Sequence, residues 1–252
     1  MNQAIAIIQA RMTSTRLPGK VLKTIKGKPL LEHVIRRIRY SKNLGDTIVA
    51  TVDSIDSTPV IELCNKLDVK TFAGSEYNVL ERYYEASKKY DAQIILRITA
   101  DCPLVDPDVI DLMIERFLAS DCDYLSNTMV RTYPRGLDVE IFTFTALEKA
   151  FNEATKDYEK EHVTPYIIKH PDIFKLESFI NKDDYSMFRL TVDTIEDFNL
   201  IIEIYNRLYK ENEIFKLSEI IDLLQSNPEL LLINYHVSQK RYTETQKINN
   251  NE

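Results

Sequence analysis

Arg11, Arg16 and Lys20 cluster near the amino terminus, in the run Gln9-Ala10-Arg11-Met12-Thr13-Ser14-Thr15-Arg16-Leu17-Pro18-Gly19-Lys20. Each guanidinium offers a planar fork of donors that matches phosphate oxygens, and the lysine adds a mobile point charge. The small hydroxyl residues and the Pro-Gly turn between them suit a loop folded around an anion. The apolar run Ile5-Ala6-Ile7-Ile8 leads directly into it, so the cations fall where a buried strand ends. Ligands of open α/β sheets bind at the carboxyl ends of the strands. The chemistry expected here is the gripping of a small polyanion.

Two carboxylates stand at comparable places. Asp101 follows the apolar stretch ending Arg97-Ile98-Thr99-Ala100, and Asp193 follows Arg189-Leu190-Thr191-Val192. Each also has an ordinary structural reading. Asp101 can cap a turn before Pro103, and Asp193 or Thr194 can be a helix N-cap with Glu196 or Asp197 completing a capping box.

The strands and helices needed to position these groups alternate along the chain. Strands are expected at 4–9, 47–52, 69–72 and 93–99, with helices at 30–41, 57–67 and 77–90 between them. That alternation implies a mostly parallel sheet covered by helices on both faces. Asp106-Pro107 opens a helix over 107–119, with Asp as N-cap and Pro at the first helical position. A short strand, 122–126, follows. In 139–180 the strands 139–142 and 174–179 flank helices at 145–157 and 160–169, as a layer across the sheet or a subunit interface. Strand 187–192, helices 195–210 and 217–225 and strand 230–235 close one domain, 1–237, and the polar stretch 238–252 is expected to be a disordered tail.

Composition narrows the function classes. The 252 residues are 44% hydrophobic, enough to bury a full core, and carry a formal net charge of −7, which argues against nucleic-acid binding. No apolar run approaches the roughly 20 residues of a membrane span, and no signal-peptide pattern opens the chain, so a cytoplasmic location is expected. Cys64, Cys102 and Cys122 are unpaired in spacing, and His33, His162, His170 and His236 are scattered, so neither a disulfide framework nor a zinc site is indicated. The five glycines exclude a G-x-G-x-x-G dinucleotide fingerprint. Ser14 and Val21 stand at positions where a phosphate-binding P-loop needs Gly and Ser/Thr.

The segment IQARMTSTRLPGKVL resembles the opening of the cytidylyltransferases that activate acidic sugars, in particular the SpsF-like spore-coat polysaccharide branch and the 3-deoxy-manno-octulosonate (KDO) enzymes. Further matching segments recur to about Phe198. The resemblance implies a Rossmann-like, GT-A-type sheet with a small strand-rich dimerisation insertion at 139–180, hence a homodimer. It also implies a magnesium-dependent enzyme of surface glycan biosynthesis that transfers CMP from CTP to an acidic-sugar-like acceptor and releases pyrophosphate. Ala10 and Arg11 would border the nucleotide, Arg16 and Lys20 would hold its triphosphate, and Asp101 and Asp193 would bind Mg2+.

Gly74, Ser75 and Arg82 fall where family members contact the nucleotide, although Arg82 could instead pair with Glu81 or Glu85 on a helix surface. Arg135, Asp138 and Glu140, in Pro134–Glu140, resemble the SpsF-like branch and could shape the acceptor pocket, or form a β-turn before a strand. His162 is an acceptor contact or a structural histidine. Thr99 stands where KDO enzymes carry glutamine, and their acceptor-binding segment is absent from the middle region, so KDO itself is not implied. A nucleotide-sugar-dependent glycosyltransferase and a non-catalytic nucleotide-binding protein are the competing readings.

Overall fold

The first strand shows why the sheet lies inside the molecule. The structure, a computed structural model, describes residues 3–239. Strand β1 (Ala4–Gln9) sends Ala4, Ala6 and Ile8 to one core cluster and Ile7 to another. Alternate side chains point to opposite faces of a strand, so a strand that is apolar at both parities must be covered on both sides.

After β1 come β2 (Thr24–Ile25), β3 (Lys28–Pro29), α1 (Leu30–Ile38), β4 (Leu44–Val52), α2 (Thr58–Lys66), β5 (Lys70–Gly74), α3 (Val79–Lys89) and β6 (Ile94–Thr99). The chain continues through α4 (Pro107–Ala119), β7 (Tyr124–Ser126), β8 (Glu140–Thr143), α5 (Phe144–Glu153), α6 (Asp157–His162), α7 (Pro165–Lys169), β9 (Leu176–Ser178), α8 (Ile195–Leu208) and α9 (Leu217–Ser226). The main sheet has the order β5-β4-β1-β6-β8-β7-β9. β5, β4, β1 and β6 run parallel, whereas β8 is antiparallel to both β6 and β7. The mostly parallel α/β architecture expected from the alternation is therefore present.

The order of strands locates the binding edge. From β1 the chain moves outward to β4 and β5, then returns to place β6 on the other side of β1. Such a reversal leaves a crevice at the carboxyl ends of the two strands beside it. Residues 10–20 leave β1 at that edge, and Asp101 leaves β6 there.

Three expectations need correction. Residues 187–192 form no strand: the contact is an isolated bridge between Arg135 and Arg189, and the segment's amides bond to loops, Leu190 N to Arg135 O at 2.7 Å and Val192 N to Asp101 O at 2.9 Å. The buried alternation of Phe188, Leu190 and Val192 reflects packing across the sheet's end rather than pairing within it. Residues 230–235 are not a strand either. Pro228–Ile233 is a 3-10 helix, with Pro228 at its start, Leu230 buried within it and the buried Asn234 at its carboxyl-terminal cap. Finally, β8 and β9 join the main sheet rather than lying across it.

The hairpin β2–β3, with Lys26 and Gly27 both at positive φ in its turn, had no counterpart in the expected elements. Residues 240–252, most of the expected tail, lie outside the described residues.

Candidate active site

The cation-rich loop is tied down by its own backbone. Ala10 N donates to Ala50 O at 3.0 Å and Ala100 N to Gln9 O at 3.1 Å, which knits together the ends of β4, β1 and β6. Beyond them, Met12 O accepts from the amides of both Ser14 and Gly19 at 3.0 Å. Gly19 sits at φ +66, in the left-handed region, and this turn directs Lys20 back toward the sheet. The Thr13 hydroxyl donates to Glu76 Oε1 at 2.8 Å, linking the loop to the β5–α3 connection.

Lys20 thereby reaches both carboxylates singled out in the sequence. Its Nζ lies 2.8 Å from Asp101 Oδ2 and 3.0 Å from Asp193 Oδ1, and donates to Val192 O at 2.7 Å. Residues separated by most of the chain thus meet at one ammonium. Burial alone would lower its pKa, but the two facing carboxylates outweigh that and hold it above the usual lysine value. Burial likewise pushes Asp101 upward, and Lys20 together with the Thr99 hydroxyl at 2.5 Å holds it below the usual aspartate value.

Asp193 is positioned by the start of α8. Thr194 is the N-cap: its hydroxyl accepts from Asp197 N, while the Asp197 carboxylate accepts from Thr194 N at 3.1 Å. Capping therefore belongs to Thr194, and Asp193 is left to face the cavity. Asp197, fully buried, also accepts from Asp193 N at 3.0 Å and from Asn234 Nδ2 at 2.9 Å. Arg189 grips Asp197 with two bonds of 2.9 Å and reaches Asp193 Oδ2 at 3.0 Å, where Arg16 arrives at the same distance. Arg189 and Asn234 were not assigned from sequence. The signal for Arg189 was its spacing, four and eight residues before the two aspartates.

Arg16, Lys20, Asp101 and Asp193 line a cavity of about 550 Å³ that also takes in Ala10, Arg11, Arg82, Arg135, Asp138, His162 and Gln239, while Arg189, Asp197 and Asn234 stand behind Asp193. Gly74, Ser75 and Glu140 are not among its lining residues. Ser75 acts one step back, its carbonyl accepting from Arg82 at 3.0 Å. Arg82 is 2% exposed, not on a helix surface, and its Nε has no hydrogen-bond partner among the described residues. Burial lowers its guanidinium to about 10. A buried cation so weakly compensated suits an incoming anion or carbonyl.

Glu140 faces the interior beneath the cavity. Its carboxylate pairs with Arg97, its register partner on β6, and accepts from the hydroxyls of Tyr124 at 2.5 Å and Thr164 at 2.7 Å. Asp138 is clasped by Arg131 through contacts of 2.6 and 3.1 Å. Gly136, at φ +104, lets the chain pass so close to the Leu190–Thr191 backbone that an added Cβ would lie 2.4 Å from it. His162 ends α6, where Val163 turns at φ +72; burial lowers the imidazole, Glu161 opposing and Arg97 and Arg11 adding to the shift.

Comparison with known proteins decides the family. The sequence profile described as Cytidylyltransferase matches residues 5–247. The chain belongs to the cytidylyltransferase family. It is 42% identical over 246 residues to an uncharacterised protein of Methanocaldococcus jannaschii, covering 96% of this chain and 99% of that one. It is 34% identical over 237 residues to the spore coat polysaccharide biosynthesis protein SpsF of Bacillus subtilis, covering 91% and 97%. A solved cytidylyltransferase from Leptospira borgpetersenii superposes with a TM-score of 0.87 at 34% identity, over 91% of this chain and 97% of that one.

The donor set fits a hard divalent cation. Asp101 and Asp193 present carboxylate oxygens to a single point, that of Lys20 Nζ, and magnesium is commonly bound by one or two carboxylates together with substrate phosphates. No helix among the described residues is long and apolar enough to cross a membrane.

Proposed function

We propose that this cytidylyltransferase carries out a magnesium-dependent transfer of CMP from CTP to an acidic sugar, with release of pyrophosphate, in the assembly of a surface polysaccharide. The observation that carries the reading is the meeting of Lys20, Arg16, Asp101 and Asp193 at one point of one cavity. The spore coat relative supports the polysaccharide context.

In this reading Arg11, Arg16 and Lys20 bind the triphosphate and neutralise the charge that develops on the departing pyrophosphate. Arg82 and the Ala10 backbone border the nucleoside, at the β5 side of the cavity. Asp101 and Asp193 would hold a magnesium ion, whose chemistry when bound would be to neutralise charge on the phosphates and to lower the cost of activating the incoming hydroxyl. Arg189 and Asp197 fix the orientation of Asp193, and Arg135, Asp138 and His162 border the acceptor. The chain's contribution is positioning and fixed charge, the main resources for phosphoryl-type transfer.

The test is a pyrophosphate-release screen that pairs the four ribonucleoside triphosphates with ulosonic acids and other acidic acceptors. CTP-dependent release with at least one acidic acceptor is the expected result. Sugar transfer from a nucleotide sugar without pyrophosphate release, or CTP binding without turnover across the panel, would replace the proposal with a glycosyltransferase or a binding protein.

A further inference from the structure

The oxygens that suit a divalent ion are already engaged by the protein's own donors. Lys20 Nζ takes Asp101 Oδ2 and Asp193 Oδ1 at 2.8 and 3.0 Å; the Thr99 hydroxyl takes Asp101 Oδ1 at 2.5 Å; Arg16 and Arg189 each reach Asp193 Oδ2 at 3.0 Å. The charges also balance. Three carboxylates, Asp101, Asp193 and Asp197, are in contact with three cations, Lys20, Arg16 and Arg189, so the cluster presents no net negative charge to a dication.

We infer that Lys20 is itself the resident cation of the Asp101–Asp193 pair, and that a divalent ion gains the pair only when an anionic ligand draws Lys20 away. The inference rests on the proposed reading only in taking those two aspartates as the metal ligands. Three features favour exchange over coexistence. An ion bound to the same oxygens would lie within contact distance of the ammonium, and the repulsion between like charges is strong in a partly buried site. The Lys20 side chain is 11% exposed and flexible, and it opens into the cavity that Arg11, Ser14, Thr15 and Arg16 also line. A polyphosphate there would give the ammonium new acceptors in place of the carboxylates and Val192 O, and would bring the negative charge that the balanced cluster lacks. Metal and nucleotide would then enter together, which keeps the site from being loaded by magnesium alone.

The prediction has an unusual sign: removing a cation from the site should improve metal binding. Mn2+ is the probe, followed by electron paramagnetic resonance on nucleotide-free protein. Wild type should bind weakly, and Lys20→Met should bind at least tenfold more tightly. That gain should vanish in Lys20→Met/Asp193→Asn, which places the ion on the pair. Arg16→Ala, which frees only one contact at Asp193 Oδ2, should give a smaller gain in the same direction. Unchanged or weaker Mn2+ binding in folded Lys20→Met would overturn the inference. Should Lys20→Met fail to fold, Arg16→Ala decides alone: tighter binding supports the inference, and unchanged or weaker binding overturns it. No nucleotide or acceptor enters this measurement, so its outcome and that of the pyrophosphate screen can be told apart.

Discussion

The two halves of the sheet place their functional groups by different means. On the parallel side, β1 and β6 deliver the cation loop and Asp101 to the cavity simply by ending there, and backbone bonds such as Ala100 N to Gln9 O keep the ends together. On the antiparallel side, the segments around β8 are held by side-chain networks, a buried one behind the cavity in which Glu140 joins Arg97, Tyr124 and Thr164, and a part-buried one in which Arg131 clasps the cavity residue Asp138. A site built on strand ends is inherited from topology and can change its polar residues without unfolding. A site held by buried polar networks couples its chemistry to stability.

Substitution should expose this contrast. The largest effect on stability is expected for Glu140→Gln, which removes the carboxylate charge that faces Arg97; breaking such a buried ion pair costs about 3–5 kcal/mol. Thermal unfolding should show a large drop in Tm, and an unchanged Tm with a raised acceptor KM would restore Glu140 to the acceptor pocket. Gly136→Ala comes next, at about 1–3 kcal/mol, because it adds strain at positive φ and forces the Leu190–Thr191 backbone away. Because Asp193 lies just beyond that backbone, turnover should fall along with Tm; a wild-type Tm would show that the approach at Gly136 is looser than described.

The smallest effect concerns His162. Its imidazole is held below the usual histidine value, so the unfolded chain takes up its proton first as pH drops. The neutral histidine's contribution is complete above the unfolded value of 6.5 and is lost as pH falls through the folded one. The decline of Tm below pH 6.5 should therefore be shallower in His162→Gln, and an equal or steeper decline would contradict the burial of the ring.

The same contrast explains what was legible in the sequence. The strand runs of the parallel half are local signals, and once β1 and β6 are recognised their ends must meet, so the loop 9–20 and Asp101 could be placed together. Arg82 was legible in part: Val79, Tyr83 and Ala86 share its helical face, and that i, i+3, i+4 spacing puts it on the buried side of α3. Glu140 was not. Its partner Arg97 is set by cross-strand register between segments far apart in the chain, which no local pattern reveals. Residues 187–192 misled for a related reason, since period-two burial marks an extended chain whether or not a neighbouring strand pairs with it. At the start of α8 the capping alternative between Asp193 and Thr194 resolves to Thr194, and Asp193 faces the cavity.

That division of labour makes Asp193 the most direct test of the account. CTP-dependent pyrophosphate release should be measured for Asp193→Asn, Asp101→Asn and the double variant as magnesium is varied. Because Thr194 caps α8, Asp193→Asn should leave the helix intact while turnover falls by about a hundredfold or more, and the two losses should be strongly non-additive because they disable one site. Near-wild-type turnover of Asp193→Asn with an unchanged magnesium requirement would remove Asp193 from the metal site and contradict the account.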